Sequence, residues 1–264
     1  MRLGFIGCGN MAKAIIQGIL AKGLVAPEEI LASNTTQEHA DATAKLLGVQ
    51  TTTDNVRVAG ESDIVFLCVK PQQYASVIAQ VKDNLHERQI VVSIAPGKTL
   101  AWLGEQIGRP VKLVRAMPNT PAVVGEGITT FCAGDLTGPE DTKIVKELLE
   151  SFGLALELKE SLMDAASAVG GSTPAFAYMF IEALADGAVA EGLPREQARK
   201  IAAQAVLGSA KMVLESGKHP MQLKDEVCSP GGSTIAGVQE LECGAFPGVT
   251  MTAIQATAAK ARSL

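Results

Sequence analysis

Short apolar runs rich in β-branched residues alternate with helical patterns along the first 160 residues of this 264-residue chain. The runs occupy residues 3–6, 30–33, 64–69, 90–94 and 111–116, and the first is followed by a helical pattern from Asn10 to about Gly23. Such alternation is typical of βαβ units around a parallel sheet. Two further strands, at residues 127–133 and 154–158, are predicted on either side of a helix at 140–152.

The composition changes after about residue 162, where alanine becomes frequent and no alternating strand pattern remains. We predict helices at residues 174–191, 194–216, 221–227, 233–243 and 246–262, with a loop at residues 170–173 before the first of them. The sequence therefore predicts an α/β domain of the Rossmann dinucleotide-binding type over residues 1–160. An all-α domain over residues 161–264 follows it.

Charge and cysteine content exclude several classes of protein. A net charge of -5 and a pI near 5.3, with no run of five or more like charges, argue against binding to nucleic acid or an anionic membrane. The sequence contains no stretch of 18 apolar residues, so no membrane span is predicted. The five cysteines are widely spaced and contain no CxxC pair, so neither a disulfide framework nor a metal site is indicated. A cytoplasmic protein with a small-molecule partner is predicted.

The glycine pattern after the first strand predicts a dinucleotide site. Residues Gly7, Cys8, Gly9, Asn10 and Met11, followed by Ala12, form the GxGxxA fingerprint between a strand and a helix. The first glycine permits a tight turn, the second lets the backbone approach a pyrophosphate, and the helix N-terminus favours its negative charge. The alternative is a glycine-rich turn that binds no ligand.

The segment after the second strand indicates which nicotinamide cofactor binds. A site for NAD usually has Asp or Glu there, about 20 residues beyond the fingerprint, to bind the ribose 2'-hydroxyl. This chain instead has Ser33, Asn34, Thr35 and Thr36, which do not repel a 2'-phosphate. NADPH is therefore favoured and NADH is the weaker alternative, although the same residues could simply cap the next helix. The strand ends at Cys68, Val69, Lys70 and Pro71 and at Ala95 are predicted to line the same crevice.

A second candidate site lies in the helical half, at Ser229-Pro230-Gly231-Gly232-Ser233-Thr234. Two glycines before a helix can turn several N–H groups in one direction, and the helix dipole adds positive potential. This pattern is typical of a site for a small carboxylate. An ordinary helix start capped by Ser233 or Thr234 is the alternative.

The chain resembles the pyrroline-5-carboxylate reductase family along essentially its whole length. The resemblance rests on five motifs: Phe5 to Ala12, Cys68 to Pro71, Arg115 to Pro121, Gly170 to Phe176, and His219 to Ile235. It implies reduction of 1-pyrroline-5-carboxylate to L-proline by NADPH. It also implies dimerisation through the helical domain, dimers that assemble further, and a substrate site between the two domains.

The resemblance also implies roles for individual residues. Ser33, Asn34 and Asn55 would surround the 2'-phosphate of NADPH, and Lys70, Pro71 and Ala95 would follow the cofactor toward its nicotinamide. The substrate carboxylate and ring nitrogen would be held by Gly231, Gly232, Ser233 and Thr234, with Met117 and Asn119 nearby. Thr234 is the predicted catalytic residue, because reduction of a protonated imine needs no strong acid.

Two other functions stay open at this stage. A β-hydroxyacid dehydrogenase also joins a dinucleotide domain to a helical one, but it needs a lysine that the helix after Gly171 lacks in the stretch Pro174 to Glu182. A non-catalytic NADPH-binding regulatory protein would keep the fingerprint and lose the substrate site. Turnover of the imine distinguishes all three functions.

Overall fold

The computed structural model describes residues 1–262, and the last two residues of the predicted second domain lie outside that range. The chain divides into two compact units. One comprises Met1–Gly171 together with residues 258–262, and the other comprises Ser172–Thr257. Since the helix Met163–Ala190 contributes to both units, the domain boundary near residue 160 stays a prediction.

The first unit is built on one eight-stranded sheet in the order β3-β2-β1-β4-β5-β6-β7-β8. The strands are β1 Leu3–Ile6, β2 Ile30–Ser33, β3 Gln50–Thr52, β4 Ile64–Leu67, β5 Ile90–Ser93, β6 Lys112–Met117, β7 Gly127–Ala133 and β8 Gly153–Glu157. All neighbouring pairs are parallel except β6 and β7.

Eleven α-helices lie within the described residues. They are α1 Asn10–Ala21, α2 Gln37–Leu47, α3 Asn55–Glu61, α4 Tyr74–Val81, α5 Leu100–Ile107, α6 Pro139–Leu149, α7 Met163–Ala190, α8 Arg195–Ser216, α9 Pro220–Val227, α10 Ser233–Cys243 and α11 Phe246–Ala261. Short 3-10 helices occupy Pro27–Glu29, Pro71–Gln73, Lys82–Asn84, Thr120–Val124, Glu150–Phe152 and Glu160–Leu162. The prediction of an α/β region followed by a helical region is confirmed.

The sheet differs from the predicted parallel arrangement at one place, where β7 runs antiparallel to β6. Residues 118–126 connect these strands and contain only the 3-10 helix Thr120–Val124. A parallel crossover needs about a dozen residues or more, so this connection is too short to return the chain to the other end of the sheet. The longer segment through α6 allows β8 to pair in parallel with β7.

Two apolar clusters cover the two faces of the sheet. Leu3 and Phe5 of β1 belong to one cluster with residues of α1 and α6, while Ile6 belongs to the other with residues of α3, α4 and α5. Successive side chains of a strand point to opposite faces, so β1 is covered on both sides. Its four residues are all buried. This burial fixes the carboxyl end of β1, where the fingerprint turn begins.

The second unit is entirely helical and has little interior of its own. Its buried cluster consists of Ala185, Ala198 and Ala202. A shallow apolar groove of about 480 Å³ lies elsewhere on this unit, lined by aromatic and aliphatic side chains that include Phe180, Phe246 and Met179, the last of them 73% exposed. Further large apolar side chains of this unit are exposed, among them Tyr178, Ile201 and Leu214, and exposed apolar residues in such number are typical of an interaction surface. No helix within residues 1–262 is long and apolar enough to cross a membrane.

Candidate active site

A cleft of about 340 Å³ opens at the carboxyl ends of β1, β2 and β4 in the first unit. In open α/β sheets this edge is where ligands bind. The residues that line the cleft are Gly7, Cys8, Gly9, Lys13, Asn34, Thr35, His39, Ala42, Cys68, Val69, Lys70 and Gln73. The cleft therefore brings together the glycine fingerprint, the segment after β2 and the segment after β4.

The two glycines of the fingerprint turn have different roles, and only Gly7 requires the absence of a side chain. Gly7 has φ +88°, and a Cβ atom there would lie 2.5 Å from Cγ1 of Val69. A Cβ at Gly9 would meet nothing within 4 Å, so the backbone is open toward a ligand on that side. Gly9 caps α1 without a side-chain hydrogen bond, which leaves the first N–H groups of the helix available to an anion. Asn10 and Met11 begin α1 and do not line the cleft, and Met11 packs against the core.

Residues after β2 divide between the cleft and the structure beneath it. Asn34 lines the cleft and donates its Nδ2 hydrogen to the Cys8 carbonyl at 3.2 Å, while its buried Oδ1 has no hydrogen-bond partner. Ser33 is only 1% exposed, and its Oγ accepts from Gly7 N at 3.3 Å and donates to Asn55 Oδ1 at 2.6 Å. Contact of Ser33 and Asn55 with a 2'-phosphate stays a prediction. In this structure both support the turn from below.

The segment after β2 also caps a helix, as the alternative interpretation predicted. Thr36 is the N-cap of α2, and its hydroxyl accepts from His39 N at 3.3 Å. Capping occupies Thr36 alone, so it does not compete with the cleft-facing side chains of Asn34 and Thr35. The two interpretations of the segment are therefore compatible.

The cleft is a cationic environment. Its lining contains Lys13, Lys70 and His39 and no carboxylate. Burial raises the pKa of the Cys8 thiol to about 11, a shift that the Lys13 ammonium partly opposes. Burial likewise raises the pKa of Cys68. Both thiols are therefore neutral near pH 7 and add no negative charge. Sequence reasoning missed Lys13 and His39 as lining residues, although Lys13 directly follows the fingerprint.

The strand ends that lead to the far side of the cleft are joined by a buried tyrosine. The Tyr74 hydroxyl donates to the Leu67 carbonyl at 2.5 Å and accepts from Ser93 Oγ and Ile94 N, each at 3.2 Å. These bonds fix the end of β4 relative to the end of β5. Lys70 is exposed at the cleft, Pro71 begins the 3-10 helix after it, and Ala95 is buried after β5.

The glycine-rich string of the second unit forms a turn before α10. Gly231 has φ +68°, in the left-handed region that favours glycine, and Gly232 N donates to the Ser229 carbonyl at 3.0 Å. Gly232, rather than Ser233 or Thr234, is the N-cap, and no side chain caps the helix. The alternative of a helix start capped by Ser233 or Thr234 is wrong, because both residues lie inside the first turn of α10. Their exposed hydroxyls are free of capping bonds.

The predicted loop at residues 170–173 is also wrong, since these residues lie inside α7, which contains Pro174. Pro174 has no N–H to donate to the Gly170 carbonyl, the bond that a regular helix would make. Asn119 replaces that donor: its Nδ2 donates to the Gly170 carbonyl and its Oδ1 accepts from Ile128 N, both at 2.9 Å. Substrate contact by Asn119 and by Met117, at the end of β6, stays a prediction.

The three histidines are dispersed. His219 is the N-cap of α9, and its Nδ1 accepts from Met221 N at 3.2 Å. His86 is exposed after α4. Within residues 1–262, no three His, Cys, Asp or Glu side chains form a group that could hold a metal ion.

Two family models match the chain. The model described as pyrroline-5-carboxylate reductase dimerisation matches residues 160–264, and the model described as NADP oxidoreductase, coenzyme F420-dependent, matches residues 2–97. The first supports association of this chain through its helical half. The second covers the glycine fingerprint and the cleft.

Curated relatives and solved structures agree with these models. Pyrroline-5-carboxylate reductase of Escherichia coli (strain K12) is 44% identical, over 100% of this chain and 98% of the relative, and human pyrroline-5-carboxylate reductase 2 is 40% identical over 100% and 84%. The structure of a pyrroline-5-carboxylate reductase from Coxiella burnetii has a TM-score of 0.94 at 34% identity, covering 99% of this chain and 97% of that one.

The Plasmodium falciparum enzyme, solved with NADP bound, has a TM-score of 0.89 at 34% identity, covering 100% and 97%. Both halves of the molecule therefore match the family that the motifs predicted, and the β-hydroxyacid dehydrogenase alternative is set aside. The chain belongs to the pyrroline-5-carboxylate reductase family.

Proposed function

We propose that this chain reduces 1-pyrroline-5-carboxylate to L-proline with NADPH, binding the cofactor in the cleft of the first unit and the substrate carboxylate at the start of α10. The observation that carries the assignment is the match over the full chain to pyrroline-5-carboxylate reductases. The predictions of an oxidoreductase and of NADPH as its cofactor are confirmed.

The residues of the cleft fit a dinucleotide phosphate. The open backbone at Gly9 and the uncapped N-terminus of α1 offer N–H groups to a pyrophosphate. The unpartnered Oδ1 of Asn34 can accept from a ribose hydroxyl. Since a phosphate dianion has no hydrogen to donate, Asn34 Oδ1 would suit a ribose hydroxyl, and the ammonium groups that line the cleft would suit the phosphates. When bound, NADPH supplies the hydride.

The turn before α10 binds the substrate. The N–H groups in the first turn of α10 receive the carboxylate, aided by the helix dipole and by the left-handed turn at Gly231. The Thr234 hydroxyl, which makes no capping bond, hydrogen-bonds the ring nitrogen and holds its proton in place while the adjacent carbon is reduced. The product nitrogen becomes a neutral amine, so the chain has to align the reacting groups and needs no strong acid.

Steady-state turnover tests this function. The wild-type chain should oxidise NADPH in the presence of 1-pyrroline-5-carboxylate, and Thr234→Ala should lower kcat/KM for the imine by about ten- to a hundredfold, equivalent to about 1.4 to 2.7 kcal/mol. The dissociation constant of NADPH should not change. Thr252→Ala is the matched control, because the Thr252 hydroxyl already donates to the Gly248 carbonyl of its own helix at 2.9 Å.

Absence of turnover by the folded wild type would favour the non-catalytic regulatory alternative. Wild-type kinetics for Thr234→Ala would instead show that another group hydrogen-bonds the ring nitrogen, while the proposed reaction would stand.

The proposed assembly is a homodimer through the helical half, with dimers that assemble further. A two-fold symmetric dimer is the commonest closed arrangement. The match to the dimerisation model and the exposed apolar groove around Phe180 and Phe246 support it. The five cysteines, none of which forms a disulfide, fit the proposed cytoplasmic location.

A further inference from the structure

Lys13 is an unpaired cation in the cofactor cleft. It lies one turn into α1, is half-buried, and makes no ion pair or side-chain hydrogen bond within the described residues. It lines the cleft together with Cys8 of the fingerprint turn, and its ammonium charge lowers the pKa of the Cys8 thiol, against the larger rise caused by burial. Burying part of an unpaired ammonium costs free energy. An anionic ligand in this cleft would offset that cost.

The segment after β2 supplies the other wall beside Lys13. Asn34, Thr35, His39 and Ala42 all line the cleft, over one β-strand end and the first turns of α2. The His39 backbone N–H is already capped by Thr36, which leaves the imidazole as the free donor of this residue. In dinucleotide-binding sheets the ribose carrying the 2'-group lies at this strand end.

Negative charge close to this wall is limited. Glu38 is in the first turn of α2 but does not line the cleft, and Asp41 accepts from Gln37 Nε2 at 2.7 Å on the same helix. A ligand anion between α1 and α2 would therefore meet the ammonium from one helix and the imidazole from the other. Charge-assisted hydrogen bonds of this kind are stronger than neutral ones.

We propose that Lys13 and His39 bind the 2'-phosphate of NADPH and together set the preference of this chain for NADPH over NADH. The inference rests on the proposed function in so far as NADPH is the cofactor. It assigns the positive charge to Lys13 of α1 and a further hydrogen-bond donor to His39 of α2, since no arginine occurs around the second strand. Lys70, at the opposite side of the fingerprint and after β4, has no part in this discrimination.

The test separates the 2'-phosphate from the rest of the cofactor. Binding of adenosine 2',5'-bisphosphate and of adenosine 5'-monophosphate to the full chain is measured by titration calorimetry for the wild type, Lys13→Met and His39→Asn. Each variant should weaken binding of the bisphosphate by about tenfold. Neither should change binding of the monophosphate by more than about twofold. Lys45→Met is the matched control, because Lys45 lies near the end of α2 and outside the cleft.

Two outcomes overturn the inference. Equal weakening of both nucleotides by Lys13→Met would place Lys13 at the 5'-phosphate, and unchanged bisphosphate binding in both variants would remove the pair from the site. Turnover of the imine is measured separately, so that failure of this inference can be distinguished from failure of the proposed function. If the chain reduces the imine but both substitutions leave its preference for the bisphosphate over the monophosphate unchanged, the proposed function stands and this inference fails. If the substitutions reduce that preference but the chain reduces no imine, the inference stands and the proposed function fails.

Discussion

Replacement of Asn119 by alanine should destabilise the first unit by about 2 to 4 kcal/mol. Asn119 is 8% exposed, and its amide serves both the Gly170 carbonyl of α7 and the Ile128 N–H of β7 at 2.9 Å. Each buried backbone group left without a partner costs about 1 to 3 kcal/mol. Because both bonds are only partly buried, the lower half of the summed range applies.

Pro174 provides the decisive comparison. Pro174→Ala gives residue 174 an N–H that can donate to the Gly170 carbonyl, so Asn119→Ala should cost about 1 kcal/mol less in that background. Urea unfolding followed by the fluorescence of Trp102, the single tryptophan, reports on the first unit. An equal cost of Asn119→Ala in both backgrounds would refute the idea that Asn119 replaces the donor missing at Pro174.

Three further predictions concern the cleft and the second unit. Asn34→Asp should lower the ratio of kcat/KM for NADPH to that for NADH, because the carboxylate repels the 2'-phosphate. Ser33→Asp should chiefly lower the stability of the chain, since Ser33 is buried. Wild-type stability of the Ser33→Asp chain would contradict this expectation for Ser33. Met179→Glu should reduce the mass measured by light scattering by placing a charge in the apolar groove, and an unchanged mass would exclude this groove from the interface. The pKa of Cys8 is raised to about 11 from 9.0, so its contribution to stability is present below pH 9 and is lost as the pH rises from 9 through 11. Over this range the urea midpoint of unfolding should fall less steeply with pH for Cys8→Ser than for the wild type.

Residue patterns predicted the strands and the fingerprint because local signals and tertiary structure agree there. The bounds of β1, β2, β7 and α10 were predicted without error. The strand β3 was missed, since Gln50–Thr52 is a short polar edge strand with no apolar alternation. This strand forms because it pairs with β2, and a sequence pattern of three residues cannot indicate which strand they pair with.

The remaining differences arise from contacts between distant residues. Glycine and proline at residues 170–174 indicate a loop locally, but a donor from Asn119, 51 positions away in sequence, allows the helix to continue. The position of Ser33 beneath the turn likewise depends on Asn55 and Gly7. Lys13 could be placed in the cleft only once the orientation of α1 was known.

If the chain forms the proposed homodimer, the small alanine cluster of the second unit makes protein concentration a variable of its stability. Ala185, Ala198 and Ala202 bury little area, and a segment of this size needs more apolar burial than they supply. For a homodimer, the burial gained on association is part of the folding free energy, so dilution acts on this unit as a mild denaturant. In such a dimer each tenfold dilution removes about 1.4 kcal/mol of apparent stability, so the unfolding temperature of the helical half should follow the amount of protein in solution.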